Sequence, residues 1–121
     1  MIFLVAIVLL TAGYLDIRPS IYLPYASECM CKKGADPDKA YGFIYSLKYP
    51  NDPCLKCFVR CSSTSIGYFN SFGEPQDEVI LRYAPEVPQQ VLDTCRNQTK
   101  NELDLCEKLF KYSRCFISYF L

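Results

Sequence analysis

Apolar residues recur at helical spacing through most of the chain, and no stretch alternates as a strand would. From Asp38 to Lys48 the apolar positions are Ala40, Tyr41, Phe43, Ile44 and Leu47, a short amphipathic helix opened by Asp36-Pro37. Asp52-Pro53 repeats that signal, because a carboxylate can accept the orphan N–H groups of a first turn and proline lacks one. The helix it opens carries Cys54, Cys57 and Cys61, and offsets of three and seven place their sulfurs on one stripe. Leu55, Phe58 and Val59 make the same helix apolar beyond that stripe, so it reads as buried and central, fading in Ser62 to Ser65.

Flanking segments follow the same logic. Residues 14–28 contain Pro19 and Pro24 and read as an irregular lead-in with one short helix at most. Ile66 to Phe72 is a helical turn or a loop, and Glu74-Pro75 starts a helix through Val79, Ile80, Leu81 and Tyr83 that Pro85 stops. Pro88 begins the next, with Val91, Leu92 and Cys95 on one side. Asn101 is the expected cap of a last helix through Leu103, Leu105, Cys106, Leu109, Phe110, Cys115, Phe116, Ile117 and Phe120. The predicted class is all-α, a compact bundle of about six short helices.

Ile2 to Leu10 is aliphatic but too short to cross a bilayer, and Thr11-Ala12-Gly13 places small residues where a signal peptidase cuts. Residues 1–13 are therefore expected to be a signal peptide cleaved near Gly13, with an uncleaved anchor as the alternative because no basic side chain precedes the apolar run. Residues 14–121 are then one domain, secreted and extracellular, with no membrane association after cleavage. That domain keeps all 13 basic and all 13 acidic residues. Zero formal charge argues against nucleic acid as a partner, since neutralising phosphates needs a basic excess.

The eight cysteines read as disulfides in an oxidising compartment rather than as a thiolate zinc site, and no metal or cofactor is expected. Histidine is absent, which removes triad hydrolases and imidazole-based metal chemistry, and no activated nucleophile motif is visible. The chain is not expected to be an enzyme. Cys29 and Cys31 point the same way in an extended segment and diverge on a helix, and the sequence leaves this open. Cys106 and Cys115 are nine positions apart, about 900° of rotation, so they face opposite ways. One is expected to hold the last helix to the central helix and the other to hold it to the helix carrying Cys95.

With Cys29 and Cys54 set aside, six cysteines follow one another with gaps of 25, 3, 33, 10 and 8 residues, from Cys31 through Cys57, Cys61, Cys95 and Cys106 to Cys115. The three-residue and eight-residue gaps resemble the signature of the insect odorant-binding protein family, which includes pheromone-binding and general odorant-binding proteins. The resemblance implies the pairs Cys31–Cys61, Cys57–Cys106 and Cys95–Cys115, and Cys29–Cys54 is then left as an additional pair. It also implies an apolar cavity between helices that carries a small hydrophobic ligand such as an odorant, a pheromone or a lipid-like or amine-like molecule. Candidate walls are Phe43, Phe58, Phe69, Phe72, Val79, Tyr83, Val91, Leu109, Phe116 and Phe120, though such residues more often fill the core. Tyr68, Tyr83, Tyr112 and Tyr119 are candidates to bond a ligand hydroxyl or carbonyl. The alternative is a secreted interaction protein, of salivary or seminal-fluid type, that keeps the fold and acts on a receptor or other extracellular protein through its surface. Asn97-Gln98-Thr99 is a glycosylation sequon expected in a polar loop, which would make the chain a glycoprotein.

Overall fold

The computed structural model describes residues 13–121, and the expected signal peptide lies almost wholly outside them. Six helices are described: α1 Tyr14–Lys33, α2 Pro37–Ser46, α3 Pro53–Ile66, α4 Asp77–Tyr83, α5 Gln89–Thr99 and α6 Leu105–Ser118. No strand is formed among the described residues, only an isolated bridge between Phe69 and Pro75. The all-α class holds.

α3 is the centre of the bundle, packed between α1 and α6, with α2 leaning on α1 and α5 on α6. Its start follows the expected chemistry: the Asp52 carboxylate accepts the Leu55 N–H at 2.9 Å and Pro53 stands at the first position. It does not fade in its serines. Ser62 and Ser63 are buried, and the Ser62 hydroxyl donates to the Phe58 carbonyl at 2.9 Å, so a polar side chain is accommodated inside the core. The helix ends at Gly67, whose φ of +99° only glycine adopts cheaply.

The lead-in to the bundle differs most from expectation. Residues 14–33 form one continuous helix of 20 residues with Pro19 and Pro24 inside it. Tyr14, Arg18, Tyr22, Ala26 and Cys29 are its buried positions, spaced four, four, four and three apart. That stripe faces the core, while Pro24 and Ser20, whose carbonyl Pro24 leaves unpaired, lie on the exposed side where water can serve it. Tertiary burial outweighs the local cost of the prolines.

Two later boundaries also move. Pro75 belongs to the bridge with Phe69, and α4 starts at Asp77. Asn101 does not cap the last helix: Asp104 does, its carboxylate accepting the N–H groups of Cys106 and Glu107 at 3.0 and 3.2 Å. Leu103 therefore sits in the preceding turn, 93% exposed. The sequon is not in a loop but on α5, with Asn97 exposed and the buried Thr99 hydroxyl donating to the Cys95 carbonyl at 2.8 Å.

Three disulfides are formed: Cys29–Cys61 ties α1 to α3, Cys57–Cys106 ties α3 to α6, and Cys95–Cys115 ties α5 to α6. Cys106 and Cys115 thus go to different helices, as their rotation requires. Cys31–Cys61 and Cys29–Cys54 are not formed, and Cys31 and Cys54 are free and exposed. Because α1 is helical, Cys29 and Cys31 stand about 200° apart, and only Cys29 belongs to the stripe that faces α3. Cys54 has no neighbour on α1 for a different reason. α1 and α3 run antiparallel, with Cys29 beside Cys61 and Tyr22 near Tyr68, so the level of Cys54 lies past the end of α1 at Lys33.

Candidate ligand cavity

A small cavity lies between α1, α3, α4 and α6. Tyr14 and Tyr22 reach it from α1, Ser63 from α3, Tyr68 and Phe69 from the segment after α3, Ile80 from α4, and Tyr112, Ser113 and Phe116 from α6. The rings interlock edge to face: Phe69 on Tyr112 at 5.1 Å, Tyr14 on Phe116 at 5.5 Å and Tyr22 on Tyr68 at 6.3 Å between centroids. The bridge at Phe69 and Pro75, with the Gln76 N–H donating to the Tyr68 carbonyl at 2.8 Å, holds Tyr68 and Phe69 in the wall. Its volume is about 20 Å³, room for about one water molecule. Anything larger must displace side chains.

The polarity of this space is unusual for a core. The hydroxyls of Tyr68 and Tyr112 are buried without a well-formed hydrogen bond among the described residues, that of Tyr68 having only the Tyr14 hydroxyl close by. Burial pushes both phenols well above the usual tyrosine range; the Tyr22 phenol adds to this at Tyr68 and the Asp77 carboxylate at Tyr112. Tyr14 is pushed up chiefly by burial, with Tyr22 and Tyr68 adding to it. All three stay neutral over the physiological range. They are donors and acceptors in waiting, set in an apolar wall.

Beside Tyr22 lies Arg18, 1% exposed. Its Nη1 donates to the carbonyls of Phe43 and Ile44 at 2.9 and 2.7 Å, in the last turn of α2, where the helix dipole favours a cation. The guanidinium lies against both the Tyr22 and Phe43 rings, 4.8 and 4.5 Å from their centroids. Burial works against its charge, but the phenols of Tyr22, Tyr49 and Tyr14 more than offset this, and its pKa lies above the usual arginine value. No carboxylate is paired with it among the described residues, and its Nε and Nη2 have no hydrogen-bond partner.

Of the sequence-derived wall residues, Phe69 and Phe116 line the cavity. Phe43, Phe58 and Leu109 are fully buried core instead, Phe43 packing on Phe58, Tyr22 and Tyr49. Val79, Tyr83, Val91 and Phe120 are half-buried around the core, with Tyr83 backing Tyr68 and Phe120 stacked on Tyr14. Phe72 is 74% exposed at the tip of the turn before Gly73 and takes no part. Among the tyrosines, Tyr68 and Tyr112 reach the cavity and Tyr119 faces solvent. Sequence reasoning missed Tyr14, Tyr22, Ser63, Ile80 and Ser113. The four-residue spacing of Tyr14, Arg18, Tyr22 and Ala26 was the available signal for the first two, obscured by the prolines between them.

A family model described as the PBP/GOBP family matches residues 20–119. The chain belongs to this family, the insect odorant-binding proteins. No curated protein and no solved structure matches the chain. Members of the family are small, typically secreted binding proteins for hydrophobic ligands, not enzymes. Within the described residues no helix is long and apolar enough to cross a membrane, and no group of acidic or cysteine side chains is arranged to hold a metal. Cys29, and not Cys31, is bonded to Cys61, so the two cysteines outside the three bonds are Cys31 and Cys54.

Proposed function

We propose that this chain is a secreted carrier or scavenger of a small hydrophobic molecule, bound between α1, α3, α4 and α6 at Tyr14, Tyr22, Tyr68, Phe69, Tyr112 and Phe116. The observation that carries the reading is an aromatic cavity whose buried Tyr68 and Tyr112 hydroxyls lack partners, inside a fold of a ligand-binding family. A ligand hydroxyl or carbonyl supplies what these phenols lack, and its apolar body takes the space that the rings vacate. Entry requires the rings to swing aside, so the ligand selects an expanded conformation. Tyr14 and Phe116 line the cavity, and Phe120 packs on both of them.

Secretion after cleavage near Gly13 fits the position of Tyr14, whose backbone N–H donates to the Glu86 carboxylate at 2.8 Å. A cut directly before Tyr14 turns that N–H into an ammonium and the contact into an ion pair. Any glycan at Asn97 must be added before folding completes, because the Thr99 hydroxyl is already engaged in the folded helix. Native mass spectrometry of protein purified from secreting cells tests the reading. A co-purified small molecule, released on unfolding, is expected. A chain that carries none and takes up none from a mixture of odorants, fatty acids and amines would instead act through its surface on another extracellular protein.

A further inference from the structure

We infer that the ligand is acidic, an apolar chain with a carboxylate head, and that Arg18 is the residue that recognises it. The inference rests on the carrier reading and sharpens it to a chemical class. Arg18 uses one nitrogen, Nη1, to close the last turn of α2. The donors left over are Nε–H and the Nη2–H on the same edge of the guanidinium; neither makes a well-formed hydrogen bond among the described residues, the nearest acceptors being the hydroxyls of Tyr14 and Tyr49. These two N–H groups are parallel and form the fork that the two oxygens of a carboxylate fit side-on.

Charge points the same way. The cation is buried, and the side chains around it are the neutral phenols of Tyr14 and Tyr22 on α1, Tyr49 before α3 and Tyr68 after it, with Phe43 on α2. Stacking on Tyr22 and Phe43 and two carbonyl bonds hold it charged, and no anion among the described residues neutralises it. An alcohol meets at most one of the two idle donors and none of the charge. An amine adds a second cation. A carboxylate satisfies both donors and the charge together.

The location is consistent with a ligand lying across the cavity. Arg18 does not itself border the cavity, but Tyr14, Tyr22 and Tyr68, which lie near it, are cavity walls. Tyr112, Phe69 and Phe116 line the same space, so a carboxylate reaches Arg18 when these tyrosine rings move aside. A head at Arg18 leaves an apolar tail pointing into that space. The competing explanation is that a single buried water serves the two donors.

The test is competition for a fluorescent naphthylamine probe by octanoate, octanol and octylamine at neutral pH, using the whole oxidised protein stripped of lipid. Octanoate is expected to displace the probe at least about tenfold more effectively than octanol, as a charge-assisted pair predicts, with octylamine weakest. Arg18→Met should remove the preference for the acid over the alcohol. Arg18→Lys, which keeps the charge but not the fork, should reduce it. The side-chain Nε–H resonance of Arg18 in the wild-type protein should shift with octanoate and not with octanol, a readout that stands even if neither variant folds. Equal displacement by acid and alcohol, or an acid preference that survives Arg18→Met, overturns this inference and leaves the carrier standing. A protein that binds neither the probe nor any of the three compounds overturns both.

Discussion

Tyr112 and Tyr68 carry hydroxyls that cost free energy in the empty protein, since each is buried without a partner. Tyr112→Phe removes one such group without leaving a cavity. It is expected to leave the unliganded fold as stable as before or up to about 1 kcal/mol more stable in urea unfolding, while weakening any ligand bonded there. A clear loss of stability would show that the hydroxyl has a partner. Tyrosine burial also sets the alkaline limit. Burial pushes the Tyr49 phenol up to about 12, with its hydroxyl 2.8 Å from that of Ser113. A raised folded pKa means that the stabilisation is complete below the unfolded value near 10 and is lost as pH rises through the folded one. Thermal melting is therefore expected to fall steeply between about pH 10 and 12, with the phenolate absorbance appearing together with unfolding.

At the scale of elements, the disulfide map is the sharpest expectation. Peptide mapping of the native protein should recover Cys29–Cys61, Cys57–Cys106 and Cys95–Cys115, with Cys31 and Cys54 open to alkylation. Replacing Cys31 and Cys54 by Ser should change stability by no more than about 0.5 kcal/mol, whereas replacing Cys57 and Cys106 should cost about 2–5 kcal/mol or abolish secretion. Recovery of Cys31–Cys61 would contradict the helical phase of α1. That phase shows what was legible in the sequence. Where a cap and a proline open a helix, as at Asp36-Pro37 and Asp52-Pro53, the local signal and the tertiary outcome agree. Where the signal was proline alone, as in α1, the buried stripe from Tyr14 to Cys29 decided the outcome, and it faces partners distant in sequence. The choice between Cys29 and Cys31 depended entirely on that helix. Likewise the wall was only partly legible: an aromatic residue reads the same whether it fills the core, as Phe43 and Phe58 do, or borders a space, as Phe69 does.

At the scale of the molecule, the absence of histidine has a measurable consequence. The carboxylates held low are at the surface: Asp52 by hydrogen bonds from Lys39 and the Leu55 N–H, Glu102 by Lys111, and Glu28 by Lys32. A depressed folded pKa gives stabilisation that is present above the unfolded value and lost as pH falls through the folded one. Melting temperature should therefore be nearly flat from about pH 5 to 9 and decline only gently below about pH 4, because exposed pairs contribute little. A sharp transition between about pH 5 and 7 would mean that a group other than those named controls the fold.

The central claim is that the space between α1, α3, α4 and α6 takes up one apolar molecule. Titration with a fluorescent apolar probe, compared between the wild type and Ser63→Leu, tests it most directly, because the buried Ser63 borders the cavity and a leucine there fills it. The expected result is saturable binding of one probe per chain that Ser63→Leu weakens at least about tenfold while its helical content is retained. Binding that does not saturate, or that Ser63→Leu leaves unchanged, would contradict the account.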